Sequence, residues 1–463
     1  MRAPSPALAP ALAPAPRRAT SPGAFDPRQA ADETLERLLW LHWQRPPALC
    51  LDSPPGAGKT GAIERLALLS MAYLRERCMI ATQTNRQAFE LAERLARSRP
   101  SLPFVLLHRS GLEPPASLRG LKGLTCTTKA GALPEGPCVV IANATKWSTL
   151  DGATERFDAL LVDEAYQLTD VLFHQIANLA RRYVLVGDPG QIAPVITCKI
   201  ERWASDPTGP QIACPTALLA RHPATPRLAL PVSRRLAPDT VRFVQPSFYP
   251  ALPFRALSAP GERSLRLSEP GTGPLDAPLD RIARGASLVM AELPGGVTGE
   301  IDEGLAAALV ATIERLFARG PQLRDEHGVR ALEPADVGVV CANVAQVHAV
   351  AERLGGELAR GVLVETADRF QGLERAVMLA HHPLSGRLDP RGFHLDAGRL
   401  CVMLSRHRVA CVLLARAGIE AGLERMPACG ERVLGRDDEV HRGYVAHREL
   451  LRRLRREGRV VPL

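Results

Sequence analysis

The sequence predicts an α/β protein made of two tandem parallel-sheet domains. Three observations carry this expectation. Short, almost wholly apolar runs alternate with helical patterns, as in parallel sheets covered on both faces. The alternation stops at a polar, proline-rich stretch, residues 196–230, and then starts again. A glycine-rich loop, SPPGAGKT (53–60), stands between a strand pattern and a helix pattern in the first half only.

Residues 1–24 begin MRAPSPALAPALAPAP, and the repeated prolines read as a low-complexity, disordered tail rather than a signal-peptide core. The first set of strands is predicted at ALCLD (48–52), CMIAT (78–82), FVLLH (104–108), CVVIA (138–142), ALLVD (159–163) and YVLVGD (183–188). Helical stretches such as GAIERLALLSMAYLRER and RQAFELAERLARS separate them. Residues 96–137 leave room for a small hairpin or helix, not for an inserted barrel. The second set is predicted at LVMAEL (288–293), VGVVCA (337–342), GVLVET (361–366), AVMLAH (376–381), LCVML (400–404) and ACVLLA (410–415). Residues 250–285, rich in Pro, Gly and Arg, read as an irregular insertion. The expected division is a tail (1–24), a first domain (25–230), a second domain (231–425) and a basic helical C-terminal tail (426–463). In that tail Leu450, Leu451 and Leu454 suggest a packed helix with a solvated arginine face, with a nucleic-acid arm as the other reading.

The chain has 463 residues, a net charge of +9, and 46% hydrophobic and 23% charged residues, an ordinary soluble balance. No apolar run reaches the roughly 18 residues of a membrane span, and a cytoplasmic location is expected. The ten cysteines form no CxxC pair, so neither zinc nor a disulfide framework is supported. Cys341 and Cys411 sit in apolar runs and read as buried thiols. Nearly all the positive charge is arginine; lysine occurs only at 59, 122, 129, 146 and 199. With abundant alanine and proline, that bias suggests a GC-rich, bacterial genome. A pI near 9.3 favours a polyanionic partner.

The loop residues Pro55, Gly56, Ala57, Gly58, Lys59 and Thr60 have the context of a phosphate cradle, in which backbone amides and a helix N-terminus meet phosphate oxygens. Lys59 would reach the β and γ phosphates of ATP, and the Thr60 hydroxyl would ligate Mg2+. In ALLVDEAYQ (159–167) the acidic pair ends a buried strand. Asp163 is the second candidate metal holder, and Glu164 the candidate base for an attacking water. In YVLVGDPGQIAPV (183–195), Asp188 and Gln191 would face the γ-phosphate; as a turn alone, Pro189-Gly190 fits a type I or II geometry.

SPPGAGKT, DEAYQ and GDPGQIAP resemble motifs I, II and III of superfamily 1 helicases. The form DEAxQ resembles the branch that includes the nonsense-mediated decay helicase. LPVSRRLAP (230–238) resembles the arginine-bearing motif that opens the second RecA-like domain, with Arg235 as the match. VETADRFQGLERAVML (364–379) is similar to motif V, and FHLDAGRLCVMLSRHR (393–408) to motif VI, with its arginine at Arg406. FDPRQAADETL (25–35) resembles the Q motif and points to Gln29 as an adenine reader. ATQTNRQAFELAERL (81–95) resembles motif Ia and points to Thr84 and Asn85 as backbone contacts to nucleic acid, beside their plain use as a helix cap.

The resemblance spans about residues 25–415 and implies a tandem RecA-like ATPase. Lys59 and Mg2+ would supply counter-charge from one domain, Arg235 and Arg406 from the other. Gln371, Gly372 and Glu374 would line the cleft, the glutamate near the ribose. Two departures stand out: Ser53 replaces the usual first glycine of the loop, and Arg234 stands where relatives carry an adenine-stacking aromatic. The implied function is an ATP-driven helicase or translocase on single-stranded DNA or RNA, with 5′ to 3′ polarity. The alternative is a nucleotide-switched binding or regulatory ATPase, possessing slow hydrolysis and little unwinding. A small-molecule kinase fails on the duplicated sheet and on motifs V and VI.

Overall fold

The computed structural model describes residues 25–153, 156–196, 199–203, 206, 208–268, 270–390, 392–426 and 439–463. The proline-rich stretch 1–24, Cys198 and Cys429 lie outside the described residues.

The chain starts with α1 (Pro27–Trp43), capped by Asp26, whose carboxylate accepts the Arg28 amide. Then come β1 (Ala48–Asp52), α2 (Lys59–Leu68), β2 (Arg77–Thr82), α3 (Asn85–Ser98) and β3 (Phe104–Leu107). β4 (Leu124–Thr127), β5 (Cys138–Asn143), β6 (Ala159–Val162), β7 (Tyr183–Gly187) and β8 (Arg227–Ala229) complete one eight-stranded sheet, in the order β4-β3-β5-β2-β6-β7-β1-β8. Every pairing in it is parallel. Its central strands are almost continuously buried, which is why they read as unbroken apolar runs. Residues 96–137 do not form a hairpin; they add β3 and β4 as a parallel pair at the sheet edge.

A second unit follows: β9 (Val232–Ser233), α4 (Pro238–Phe248), β10 (Arg255–Ala256), β11 (Ser264–Arg266), β12 (Leu288–Leu293), β13 (Gln322–Asp325), β14 (Gly328–Ala331), β15 (Val337–Cys341) and β16 (Leu363–Thr366). After these come β17 (Arg375–His381), α5 (Ala397–Leu404), β18 (His407–Arg416), α6 (Glu439–Arg456) and β19 (Val460–Pro462). Six of these strands make a second parallel sheet, β16-β15-β17-β18-β12-β19. The expectation of two parallel sheets in tandem holds.

Three local expectations need correction. LCVML is not a strand but the end of α5, all eight of whose residues are buried. A fully buried helix has no polar face, so its apolar run looks like a central strand. What sets it is Asp396, whose carboxylate accepts the amides of Gly398 and Arg399. Residues 250–285 are not irregular throughout: they hold β10, β11 and a helix at Asp276–Ala283. The strand in GVLVET starts only at Leu363. The packed reading of the C-terminal helix holds: Leu450, Leu451 and Leu454 are buried in the core of the second unit, and beyond the helix β19 pairs with β12 at the sheet edge. Cys341 and Cys411 are buried, as expected. Among the described residues no helix is long and apolar enough to cross a membrane.

Candidate nucleotide site between the sheets

β1 delivers the loop 53–60 at its C-terminal end, and Gly58, in a left-handed conformation (φ 98°), turns the chain into α2. Gly56 is also left-handed (φ 68°), and a Cβ there would lie 2.3 Å from that of Arg235. The loop is held from both sides. The Ser53 amide donates to Gly187 O at 2.8 Å, the Ser233 hydroxyl to Pro55 O at 2.7 Å and the Arg234 amide to Gly56 O at 2.9 Å. The phosphate loop and the segment carrying Arg234 and Arg235 are therefore one packed unit.

Lys59 reaches Glu164 at 2.9 Å. Glu164, at the end of β6, has φ 52°, a costly conformation for a residue with a Cβ. Burial, with Glu164 beside it, pushes the Asp163 carboxyl up to about 7. Asp163 Oδ1 accepts the Glu164 amide at 2.9 Å. Among the described residues no three His, Cys, Asp or Glu side chains gather as a metal cage. Asp163, buried just after β6, and the Thr60 hydroxyl, in the first turn of α2, are oxygen donors of the kind magnesium takes.

Asp188 is buried, and burial raises its carboxyl above the usual range. It accepts three hydrogen bonds: from Gly190 N at 3.0 Å, Gln191 Nε2 at 2.7 Å and Tyr249 Oη at 2.7 Å. Gln191 is thus locked to Asp188.

Both predicted arginines stand at this cleft. Arg235 donates to Glu374 at 2.7 Å and to Ser405 O at 3.2 Å. Arg406, only 2% exposed, follows Ser405 directly. Burial, and then Arg235, lowers its guanidinium to about 10, while Glu164 and Asp188 draw it the other way. Its Nε and Nη2 find no hydrogen-bond partner among the described residues. A buried cation with unused donors facing acidic groups is an electrostatic device rather than a surface arginine.

Other predicted residues are placed differently. Gln29 is exposed and donates to Glu33 on its own helix at 2.7 Å, showing no contact with the phosphate loop. Glu374 is committed to Arg235, which holds its carboxyl low although burial works the other way. Gln371 has a buried Nε2 with no partner among the described residues, and Gly372 turns left-handed (φ 81°) next to it. Thr84 caps α3 in a reciprocal box with Gln87, and Asn85 accepts from Asn143 at 2.9 Å. Sequence reasoning missed Tyr249, and also Asp52, which accepts from Tyr166 at 2.7 Å and Arg227 at 2.6 Å and so ties β1 to DEAYQ. These links join residues far apart in the chain, and no local pattern carries them.

Residues 43–197 match a family model described as an AAA domain, and residues 300–418 match a second model with the same description. Two separate segments of the chain are thus similar to AAA-domain models. A curated relative, the Regulator of nonsense transcripts 1 homolog of Drosophila melanogaster, is 23% identical over 280 residues, which is 58% of this chain and 22% of that protein. The chain therefore spans about a fifth of that relative's length. Among solved structures, arterivirus nonstructural protein 10 (helicase) covers 84% of this chain and 64% of its own, at 15% identity and a TM-score of 0.42. The same protein solved with DNA gives 83%, 63%, 14% and 0.41. The PRRSV helicase gives 84%, 54%, 14% and 0.38.

Proposed function

We propose that this protein is an ATP-hydrolysing helicase or translocase that moves on single-stranded nucleic acid. One observation carries the reading most directly. Arg406, from the second unit, feels Glu164 and Asp188 of the first, Arg235 packs against Gly56 of the loop, and Lys59 pairs with Glu164. Such a site is complete only when the two units close on each other, so bound nucleotide and cleft geometry are linked. The AAA-domain matches fall on the segments that carry these groups: Lys59, Asp163, Glu164 and Asp188 in one, and Arg406 in the other.

Each group has a chemical task. The loop amides and Lys59 hold phosphate oxygens. A divalent cation held by Thr60 and Asp163 supplies further positive charge beside the transferring phosphoryl group when bound. Glu164, whose backbone is strained, takes the proton of an attacking water. Arg235 and Arg406 stabilise charge on the transferring group. Gln191, fixed to Asp188, orients water or phosphate. Movement follows because only the closed cleft completes this set, and hydrolysis removes what closes it.

The track, polarity and branch belong to the proposal. The resemblance to superfamily 1 supports single-stranded nucleic acid as the track, and the decay-helicase form DEAYQ supports 5′ to 3′ movement. The test is ATP turnover with and without oligo(dT) and poly(U), with Lys59→Ala as the control. We expect stimulation by at least one strand and none in the control. Hydrolysis indifferent to both strands would overturn the motor reading.

A further inference from the structure

Tyr249 has no role in the mechanism above, yet three parts of the cleft meet on it. It follows α4 directly and is 2% exposed. Its hydroxyl donates to Asp188 Oδ1 at 2.7 Å and lies 3.3 Å from Cys401 Sγ. Its ring sits edge-on to Phe254, 5.4 Å between centroids. The turn 188–191 is moulded around that ring: a Cβ on Gly190 would come within 2.3 Å of Tyr249 Cζ.

The other side of the same turn rests on α5. A Cβ on Gly398 would lie 2.4 Å from Gln191 O. Gly398 and Cys401 are one turn apart and so share a face of α5. α5 ends at Ser405, next to Arg406, and Ser405 O accepts from Arg235. A single phenol thus bridges the turn that carries Asp188 and Gln191, from the first unit, to the helix that leads into Arg406, from the second.

The chemistry suits a link rather than filler. A buried carboxylate is costly unless its lone pairs are occupied by donors. Gly190 and Gln191 supply two donors from within the turn, and among the described residues Tyr249 supplies the one from the second unit. A hydrogen bond to a buried charge is among the stronger kinds, and burial next to Asp188 raises the phenol well above its usual range. The hydroxyl therefore stays protonated and remains a donor at any working pH.

We propose that Tyr249 is a positioning residue that couples the Asp188–Gln191 turn to the Arg406 helix, so that the two shift as one body. As a statement about catalysis, this rests on the proposed ATPase function. Tyr249→Phe removes the hydroxyl and keeps the ring. The expected result is a strand-stimulated kcat lower by at least about tenfold, from loss of a charge-assisted hydrogen bond, with the KM for ATP within about twofold. Deuterium exchange should quicken together in 188–192 and in 397–404. Cys401→Ala removes the sulfur that the phenol meets on α5 and leaves the Tyr249–Asp188 bond intact, so exchange should quicken in 397–404 and stay near wild type in 188–192. The proposal is overturned if Tyr249→Phe keeps kcat within about twofold, if it leaves exchange in 397–404 unchanged, or if Cys401→Ala leaves exchange in 397–404 as in wild type. Should the wild-type protein show no hydrolysis, the functional reading fails, and the exchange comparison still decides the coupling by itself.

Discussion

Arg406 shows how much one buried side chain can reveal. Its guanidinium is held down to about 10 by burial, and two of its nitrogens lack partners among the described residues. Such a group costs stability where it stands, as charges at working sites often do. Arg406→Met should therefore leave the melting temperature equal or higher while cutting strand-stimulated turnover at least about a hundredfold. A variant that turns over within a few-fold of wild type would remove Arg406 from the mechanism. Glu164→Gln tests the opposite charge. It abolishes the ion pair to Lys59, so affinity for a fluorescent ATP analogue should hold or improve while hydrolysis is lost. Loss of nucleotide binding would mean that Glu164 is needed for the shape of the loop instead.

Among the elements, α6 makes the clearest contrast between sequence and placement. Its leucines are buried in the second core, while arginines such as Arg452 stay exposed and pair with Glu449 on the same helix. Gly443 lies so close to Leu395 that a Cβ would meet Leu395 O at 1.8 Å. Leu451→Ala should cost about 2–5 kcal/mol by leaving a cavity, and Gly443→Ala should also destabilise, because the backbone contact must open. Arg452→Ala should change stability by no more than about 0.5 kcal/mol. Chemical denaturation of the three variants checks the ranking. If Arg452→Ala proved the worst of the three, α6 would act through its charged face and not its packing.

The whole molecule carries a pH dependence that its surface charge does not suggest. His42, His407 and His447 are held down to about 3 and His381 to about 4, in each case chiefly by burial, and His382 is lowered as well. These imidazoles are neutral in the folded protein and take up protons near pH 6.5 once unfolded. Their contribution to stability is thus complete above about 6.5 and is lost as pH falls toward 4, at roughly 1.4 kcal/mol per pH unit for each imidazole. Asp163 and Asp188, both raised, act in the opposite sense, since the folded state gains protons there as pH falls through about 7 for Asp163. Five imidazoles outweigh two carboxyls, so melting temperatures measured from pH 8 to 4.5 should drop below about pH 6. A flat profile would mean that these histidines reach water.

The sequence determined the layered class, the phosphate loop and the acidic pair, because local pattern suffices for each. A buried parallel strand must be apolar throughout, and a phosphate cradle needs glycines, a lysine and a hydroxyl at fixed spacing. It also marked Arg235 and Arg406 through motif order, though nothing local shows which way a guanidinium faces. Tertiary structure decided everything that depends on long-range contact. It made LCVML a buried helix, turned Gln29 toward Glu33 and built the C-terminal segment into the second sheet. It also set Tyr249 on Asp188, 61 positions apart in the chain. Burial and pairing are properties of an environment, and an environment assembled from distant segments exists only after the chain has folded.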